Sequence, residues 1–283
     1  MNLGRDRLDW TPDIWKLIDD AVHDEFIRTS VVSRFVPLHG PLPDAITVPA
    51  DIINLDTMTI DEAAVTPLVE LWVEFGLTPQ QVAGEAQLST ALTLATRAAN
   101  LLSQAEDAVL FRGDAAFADD LFKRVQHRNS SAGTGILGAA GTVIPVKPAA
   151  SDATKYGEHT FEAVVEAYSL IQGKGHYGPY ALALRTEVYA DTYAPLPETL
   201  ATPADRIRPF VPLGFFGTGT LPAKTGVFVS VGGNSMDLVA GVDPITEFLR
   251  VDDHSVYRFR VVERFALRVK DKTAIARLEF SSK

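Results

Sequence analysis

The sequence predicts an α+β chain, with helices and a long extended arm over its first two thirds and strands at its end. Three stretches carry that reading. Residues 85–111 are dominated by alanine, a strong helix former, and place Leu88, Leu92, Ala95, Ala99, Leu102 and Ala105 near one stripe. In residues 69–75, Val69, Leu71, Val73 and Phe75 alternate with Glu70, Trp72 and Glu74, the period of a strand with two distinct faces. Residues 226–231, 236–240, 256–269 and 274–280 read as closing strands.

The elements follow in order. Thr11, Pro12 and Asp13 start a helix: threonine caps, proline suits the first helical position, and aspartate suits the positive end of the helix dipole. Trp15, Ile18, Val22 and Phe26 then share one face, opposite Asp19, Asp20, Asp24 and Glu25. Residues 31–42 are strand-like. Residues 46–77 read as a two-stranded arm, which is marginal alone in water and must pack on something else. The helix at 85–111 stops at Arg112 and Gly113. Residues 114–129 are short helix or loop, and residues 130–141, rich in small residues, are irregular. A second amphipathic helix spans 158–172. Glycines 175 and 178 with Pro179 then turn the chain into a strand at 180–184, followed by a helix that Thr186 is placed to cap. Pro195, Pro197, Pro203, Pro209 and Pro212 interrupt regular structure after it.

The 283 residues suffice for one large or two modest domains, and the 46% hydrophobic content is that of a folded soluble protein. A formal charge of −10 argues against nucleic-acid binding, which needs clustered lysine and arginine. With no cysteine, disulfides, thiolate metal sites and a cysteine nucleophile are excluded. The charged start of the chain and the lack of a long apolar run predict a cytoplasmic protein without a membrane partner.

No motif makes a convincing active site. Gly133, Gly135 and Gly138 match G-x-G-x-x-G, but the polar stretch before them is not the strand that a dinucleotide site requires. Gly233, Ser235 and Asp237 lack the second glycine of a nucleophile elbow. Asp252, Asp253 and His254 are adjacent and cannot all converge from a strand. Lys174, His176 and Tyr177 beside a glycine turn do not define an acid–base pair. Glu106 and Asp107 sit about 100° apart on a helix, and one of them is expected to pair with a neighbouring arginine. Catalytic residues, metal ligands and cofactors are therefore all predicted to be none.

Several segments, in the right order, resemble the encapsulins, bacterial shell proteins built on the capsid fold of tailed phages. These are the amphipathic first helix, SRFVPLHGPLP (33–43), PLVELWVEF (67–75), EDAVLFRGD (106–114), GHYGPYALAL (175–184), GVFVSVGGNSMDLVAGVDPITEFL (226–249) and YRFRVVERFALRV (257–269). The resemblance implies a Hong Kong 97-type fold. Its peripheral domain would be built from residues 1–45, 78–141 and 226–283, its extended loop from 46–77 and its axial domain from 142–225. It implies self-assembly into an icosahedral shell rather than catalysis. It also implies a cargo enzyme, such as a dye-decolorizing peroxidase or a ferritin-like protein, held by its C-terminal peptide. By position, Phe26, Phe35, Val36, Ile245 and Phe248 would bind that peptide, and Tyr193, Pro195, Leu196 and Pro197 would line a pore loop. Some relatives bind flavin beside a tryptophan; Gln80 falls near that position here and Trp72 lies earlier, so no flavin is predicted. The alternative the pattern leaves is a phage or prophage major capsid protein.

Overall fold

The computed structural model describes residues 3–61, 63–129, 131–149, 155–195 and 201–281. Helix α1 (Pro12–Thr29) starts where the cap signal places it: the Thr11 hydroxyl accepts the Ile14 amide at 3.4 Å, and Pro12 opens the first turn. Its apolar face buries Trp15, Ile18, Val22 and Phe26. Each such side chain contributes about 1.5–3 kcal/mol on leaving water. The chain then makes a short 3-10 turn at Val32–Arg34 and only a two-residue strand, β1 (Leu38–His39), where a longer strand was expected.

The arm consists of β2 (Thr47–Pro49), β3 (Ile52–Asn54), β4 (Thr59–Asp61) and β5 (Val65–Pro67), paired antiparallel as β2 with β5 and β3 with β4. The alternating strand β6 (Val69–Leu77) is not part of it, contrary to the expectation for residues 46–77. Its register from Leu77↔Tyr257 to Val69↔Phe265 places it inside the main sheet, which is why one of its faces is apolar.

After α2 (Pro79–Ala83) and α3 (Glu85–Leu88), Ser89 adopts a left-handed conformation with φ of 51°. The expected single helix is therefore broken there, and the long helix α4 runs over Thr90–Arg112. The Glu85 carboxylate caps it, accepting the amides of Ala91 (2.7 Å) and Leu92 (3.1 Å). Beyond Gly113 come β7 (Gln126–Arg128), α5 (Gly135–Ala139), β8 (Thr142–Val146), α6 (Glu158–Gly173), β9 (Tyr180–Arg185), α7 (Thr186–Asp191) and α8 (Pro203–Ile207). Thr186 begins α7 rather than capping it, since the cap position is Arg185. Strands β10 (Gly214–Thr218), β11 (Thr225–Ser230), β12 (Met236–Val251), β13 (Tyr257–Val269) and β14 (Ile275–Phe280) complete the chain.

Two five-stranded sheets organise these elements, in the orders β1-β12-β13-β6-β7 and β10-β9-β11-β14-β8. Helices α1 and α4 cover the first sheet, and α6 packs on the second. The two faces of the second sheet divide its side chains. Leu182, Leu184, Phe228 and Leu278 pack with α6, while Ala181, Ala183, Val227, Val229 and Ile275 join the core under α1 and α4. The alternation of strand side chains thus lets one sheet serve two cores. The base of the arm rests on the first sheet through Val48, Leu68, Val239 and Ala266. It is also tied by Arg268, which pairs with Asp237 (2.7 Å) and with Asp51 of the arm (2.6 Å).

The sequence motifs that suggested chemistry have structural roles. An added Cβ at Gly113 would lie 2.0 Å from the Gly133 carbonyl oxygen, and one at Gly135 would lie 2.5 Å from the Gly113 amide, so these glycines let a loop close on the end of α4. Ser235 donates to the Ser230 carbonyl at 2.6 Å. Asp252 accepts from the amides of His254 and Val256 in a turn. His176 lies 2.8 Å from the Thr273 hydroxyl, Lys174 donates to Thr142, and Tyr177 is exposed.

Candidate cargo-docking cleft

An apolar cleft of about 270 Å³ lies between α1, the turn that follows it, and the outer edge of the first sheet. Helix α1 supplies His23, Phe26 and Ile27, because these positions lie along one edge of its buried stripe. The turn and β1 supply Ser33, Arg34, Val36 and Leu38. Strand β12 supplies Leu238, Ala240, Val242, Asp243 and Pro244, and β13 supplies Glu263, Arg264 and Phe265. The cleft exists because β12 departs from regular pairing here, with shifts between Ala240 and Val242 and between Val242 and Ile245. Gly241 permits the shift: a Cβ there would lie 2.4 Å from Leu68 Cδ2. Ile27 and Leu38 remain 50% and 65% exposed, so apolar surface is left uncovered.

Of the five residues expected to bind a cargo peptide, Phe26 and Val36 line this cleft. Phe35 is buried and stacks on Phe216 with ring centroids 5.9 Å apart. Ile245 pairs in register with Val262, beyond the cleft lining. Phe248 is a core residue, 5.3 Å from Phe259 and covered by the Arg7 guanidinium at 4.9 Å. It shares a sheet face with its cross-strand partner Phe259, which packs on Trp15 near the start of α1, so it lies in the core and outside the cleft lining. In the expected pore loop, the Tyr193 hydroxyl sits 2.7 Å from that of Tyr189 and accepts from Arg208 at 3.0 Å. Pro195 follows without regular structure, and Leu196 and Pro197 lie outside the described residues.

The sequence reading missed the polar floor. Glu106 of α4 and Glu263 of β13 line the cleft and are almost fully buried. Glu106 Oε2 and Glu263 Oε1 have no hydrogen-bond partner. Burial pushes the Glu106 carboxyl well above the usual carboxylate range, and the neighbouring Asp107 pushes it further. Burial does the same to Glu263, reinforced by Glu106, Asp107 and Asp243. Asp107 differs. Burial raises it to about 6, but it accepts bonds from the Val31 amide (2.8 Å), the Val32 amide (2.9 Å) and the Ser30 hydroxyl (3.2 Å). It therefore caps the turn after α1 instead of pairing with an arginine, because the open amides at the start of that turn, those of Val31 and Val32, reach it. A signal for the floor was present. Glu106 continues the stripe Ala95, Ala99, Leu102, and Glu263 interrupts the row Phe259, Val261, Phe265, so each places a carboxyl where the period calls for an apolar side chain.

Among the described residues no group of histidine, aspartate and glutamate is arranged to hold a metal ion, and no helix is long and apolar enough to cross a membrane.

Comparison with known proteins bears on the whole of this architecture. The family model described as encapsulating protein for peroxidase matches residues 1–266. The type 1 encapsulin shell protein EncA of Myxococcus xanthus is 26% identical, over 94% of this chain and 92% of its own length. The virus-like particle of Pyrococcus furiosus superposes with a TM-score of 0.70 at 16% identity, covering 94% of this chain and 99% of that one. The capsid of Myoviridae phage XM1 superposes with a TM-score of 0.56 at 14% identity, covering 87% of this chain and 90% of that one. The two-sheet body with its arm is the Hong Kong 97-type capsid fold, and the relatives are shell proteins, structural rather than catalytic.

Proposed function

Since this chain belongs to the encapsulin family of shell proteins, we propose that copies of it close into a hollow icosahedral compartment in the cytoplasm. Such a compartment holds a cargo enzyme by a short C-terminal peptide seated in the cleft beside α1. The observation that carries the docking reading is the apolar wall left uncovered at Ile27 and Leu38, beside the buried Phe26 and Val36 and next to a break in β12. A short apolar segment fits such a wall, because the cleft is preformed and its lining is mostly carbon. A peroxidase is the first cargo class to try, given the description of the matching family, and a ferritin-like protein is the second.

Assembly has its own support in the arm. Ile46, Ile52, Leu55, Met58, Ile60 and Val65 project apolar side chains into solvent from a two-stranded unit that buries little on its own body. A neighbouring subunit that covers them removes this surface from water. Residues 142–225 would gather around the symmetry axes.

Co-expression with a peroxidase that ends in a short apolar peptide tests docking. Wild-type particles are expected to co-purify with it, and Ile27→Asp particles are expected to form but arrive empty. Equal loading of the two would remove the cleft from the reading. Purified particles should also be free of nucleic acid by their absorbance ratio; packaged DNA would point to a phage capsid.

A further inference from the structure

We propose that Met58, at the tip of the arm, is an oxidative modification site: hydrogen peroxide converts its thioether to the sulfoxide in the free subunit, and the sulfoxide keeps the arm from joining a neighbour. This rests on the reading above that a second copy covers the arm, and it adds a control on when that happens.

Three observations single out this side chain. The first is how it is displayed. The hairpin of β3 and β4 closes at Asn54↔Thr59 through residues 55–58. Asn54 Oδ1 accepts the amides of Asp56 (3.0 Å) and Thr57 (3.2 Å), and the Thr57 and Thr59 hydroxyls lie 2.7 Å apart, so the turn is held on both sides. Met58 is the last residue of that turn and takes a φ of 51°. Glycine and asparagine enter this left-handed region more easily than methionine does, so the position carries its thioether against the backbone preference. A residue held in such a conformation points to a use for its side chain. The second observation is access. Met58 is 80% exposed, whereas Met236 is fully buried in the main core. The third is the lack of competition. The sequence has three methionines and no cysteine, and Met1 lies outside the described residues. No thiol is present to take the oxidant first.

The step balances with one peroxide. A sulfur lone pair attacks one peroxide oxygen, the S–O bond forms as the O–O bond breaks, and the proton of the attacked oxygen passes to the departing hydroxide, which leaves as water. The sulfur loses two electrons and the peroxide gains them. Peroxide is also the substrate of the cargo class named in the family description. The product is polar where the thioether was apolar. A neighbour that covers Leu55, Met58 and Ile60 would have to strip water from the sulfoxide oxygen, which opposes the contact. Conversely, a covered Met58 meets peroxide only when the contact opens. Peroxide therefore spares finished shells and holds back subunits that have not yet assembled. A sulfoxide reductase, drawing two electrons from a pair of thiols, returns the oxygen as water and restores the thioether.

The test exposes wild-type shells and the Ile60→Asp chain, expected to remain as folded subunits, to hydrogen peroxide at neutral pH and follows both by peptide mass spectrometry. In the subunits Met58 should gain one oxygen while Met236 keeps its mass. In shells Met58 should oxidise about 10- to 50-fold more slowly, the factor equivalent to covering its exposed share. Mass photometry then compares Met58→Leu, apolar and without sulfur, with Met58→Gln, which sets a polar carbonyl near the place of the sulfoxide oxygen. The glutamine chain should form about tenfold fewer particles than the leucine chain, the effect of one polar group buried without a partner, with both folded by circular dichroism. Equal oxidation of Met58 in shells and subunits, or equal particle yields of the leucine and glutamine chains, overturns the modification site while the arm stands as an interface. Ile60→Asp chains that assemble at wild-type yield overturn both.

Discussion

The arm offers the sharpest perturbation, because the side chains at issue contribute little to the fold of their own subunit. Met58 and Ile60 are 80% and 55% exposed. Full burial of a large apolar side chain contributes about 1.5–3 kcal/mol, so covering the exposed share of these two contributes about 2–4 kcal/mol per arm. The double variant Met58→Asp/Ile60→Asp removes that and obliges the interface to desolvate two carboxylates. With each 1.4 kcal/mol worth a factor of ten, the contact weakens about 30- to 1,000-fold, and every subunit of a closed shell makes it. Mass photometry of variant and wild type at equal concentration reads assembly, and circular dichroism melting reads the fold. The expected result is loss of particles with the helical signal and melting of the subunit retained. Particles at wild-type yield would refute the reasoning, since the arm would then contribute nothing between subunits.

Further outcomes follow from the buried charges. Asp107 titrates at about 6 in the folded chain, against about 3.9 unfolded. A raised carboxyl makes its stabilisation available below the unfolded value and loses it as pH climbs through the folded one, about 3 kcal/mol here; Glu106 and Glu263 shift in the same direction. Urea unfolding of the non-assembling arm variant should therefore show stability falling from pH 5 to pH 8, and less so with Glu106→Gln/Glu263→Gln added; stability rising over that range would contradict the placement of these acids. Arg268→Ala leaves Asp237 with Lys270 alone and Asp51 unpaired. Denaturant titration should report a loss of about 3–5 kcal/mol, and limited proteolysis should cut faster near the base of the arm.

Local signals in the sequence located most of the body. Thr11 and Pro12 fix the start of α1, the four apolar residues at helical spacing fix its buried face, and the period-two run at Val69–Leu77 marks a half-buried strand. Tertiary contacts decided what these signals left open. The pattern of β6 is the same whether it pairs within an arm or with β13, and only the partner distinguishes the two. Strand β12 runs on to Val251, past the expected end at residue 240, because Gly241, Asp243 and Pro244 look like chain breakers and act as bulges. Ser89 breaks the long helix without glycine or proline to announce it. The cleft was half legible. Phe26, Phe35, Val36 and Phe248 read alike and all four are buried; only Phe26 and Val36 also line the cleft, since hydrophobicity marks burial and not which surface stays open. Glu106 and Glu263 were the better guides, as acids standing in apolar rows.

The central claim is self-assembly, and it is tested by expressing the chain alone and examining it by size-exclusion chromatography with negative-stain microscopy. The account predicts elution near the void volume and uniform hollow particles. A stable 30.7 kDa monomer at micromolar concentration would contradict it.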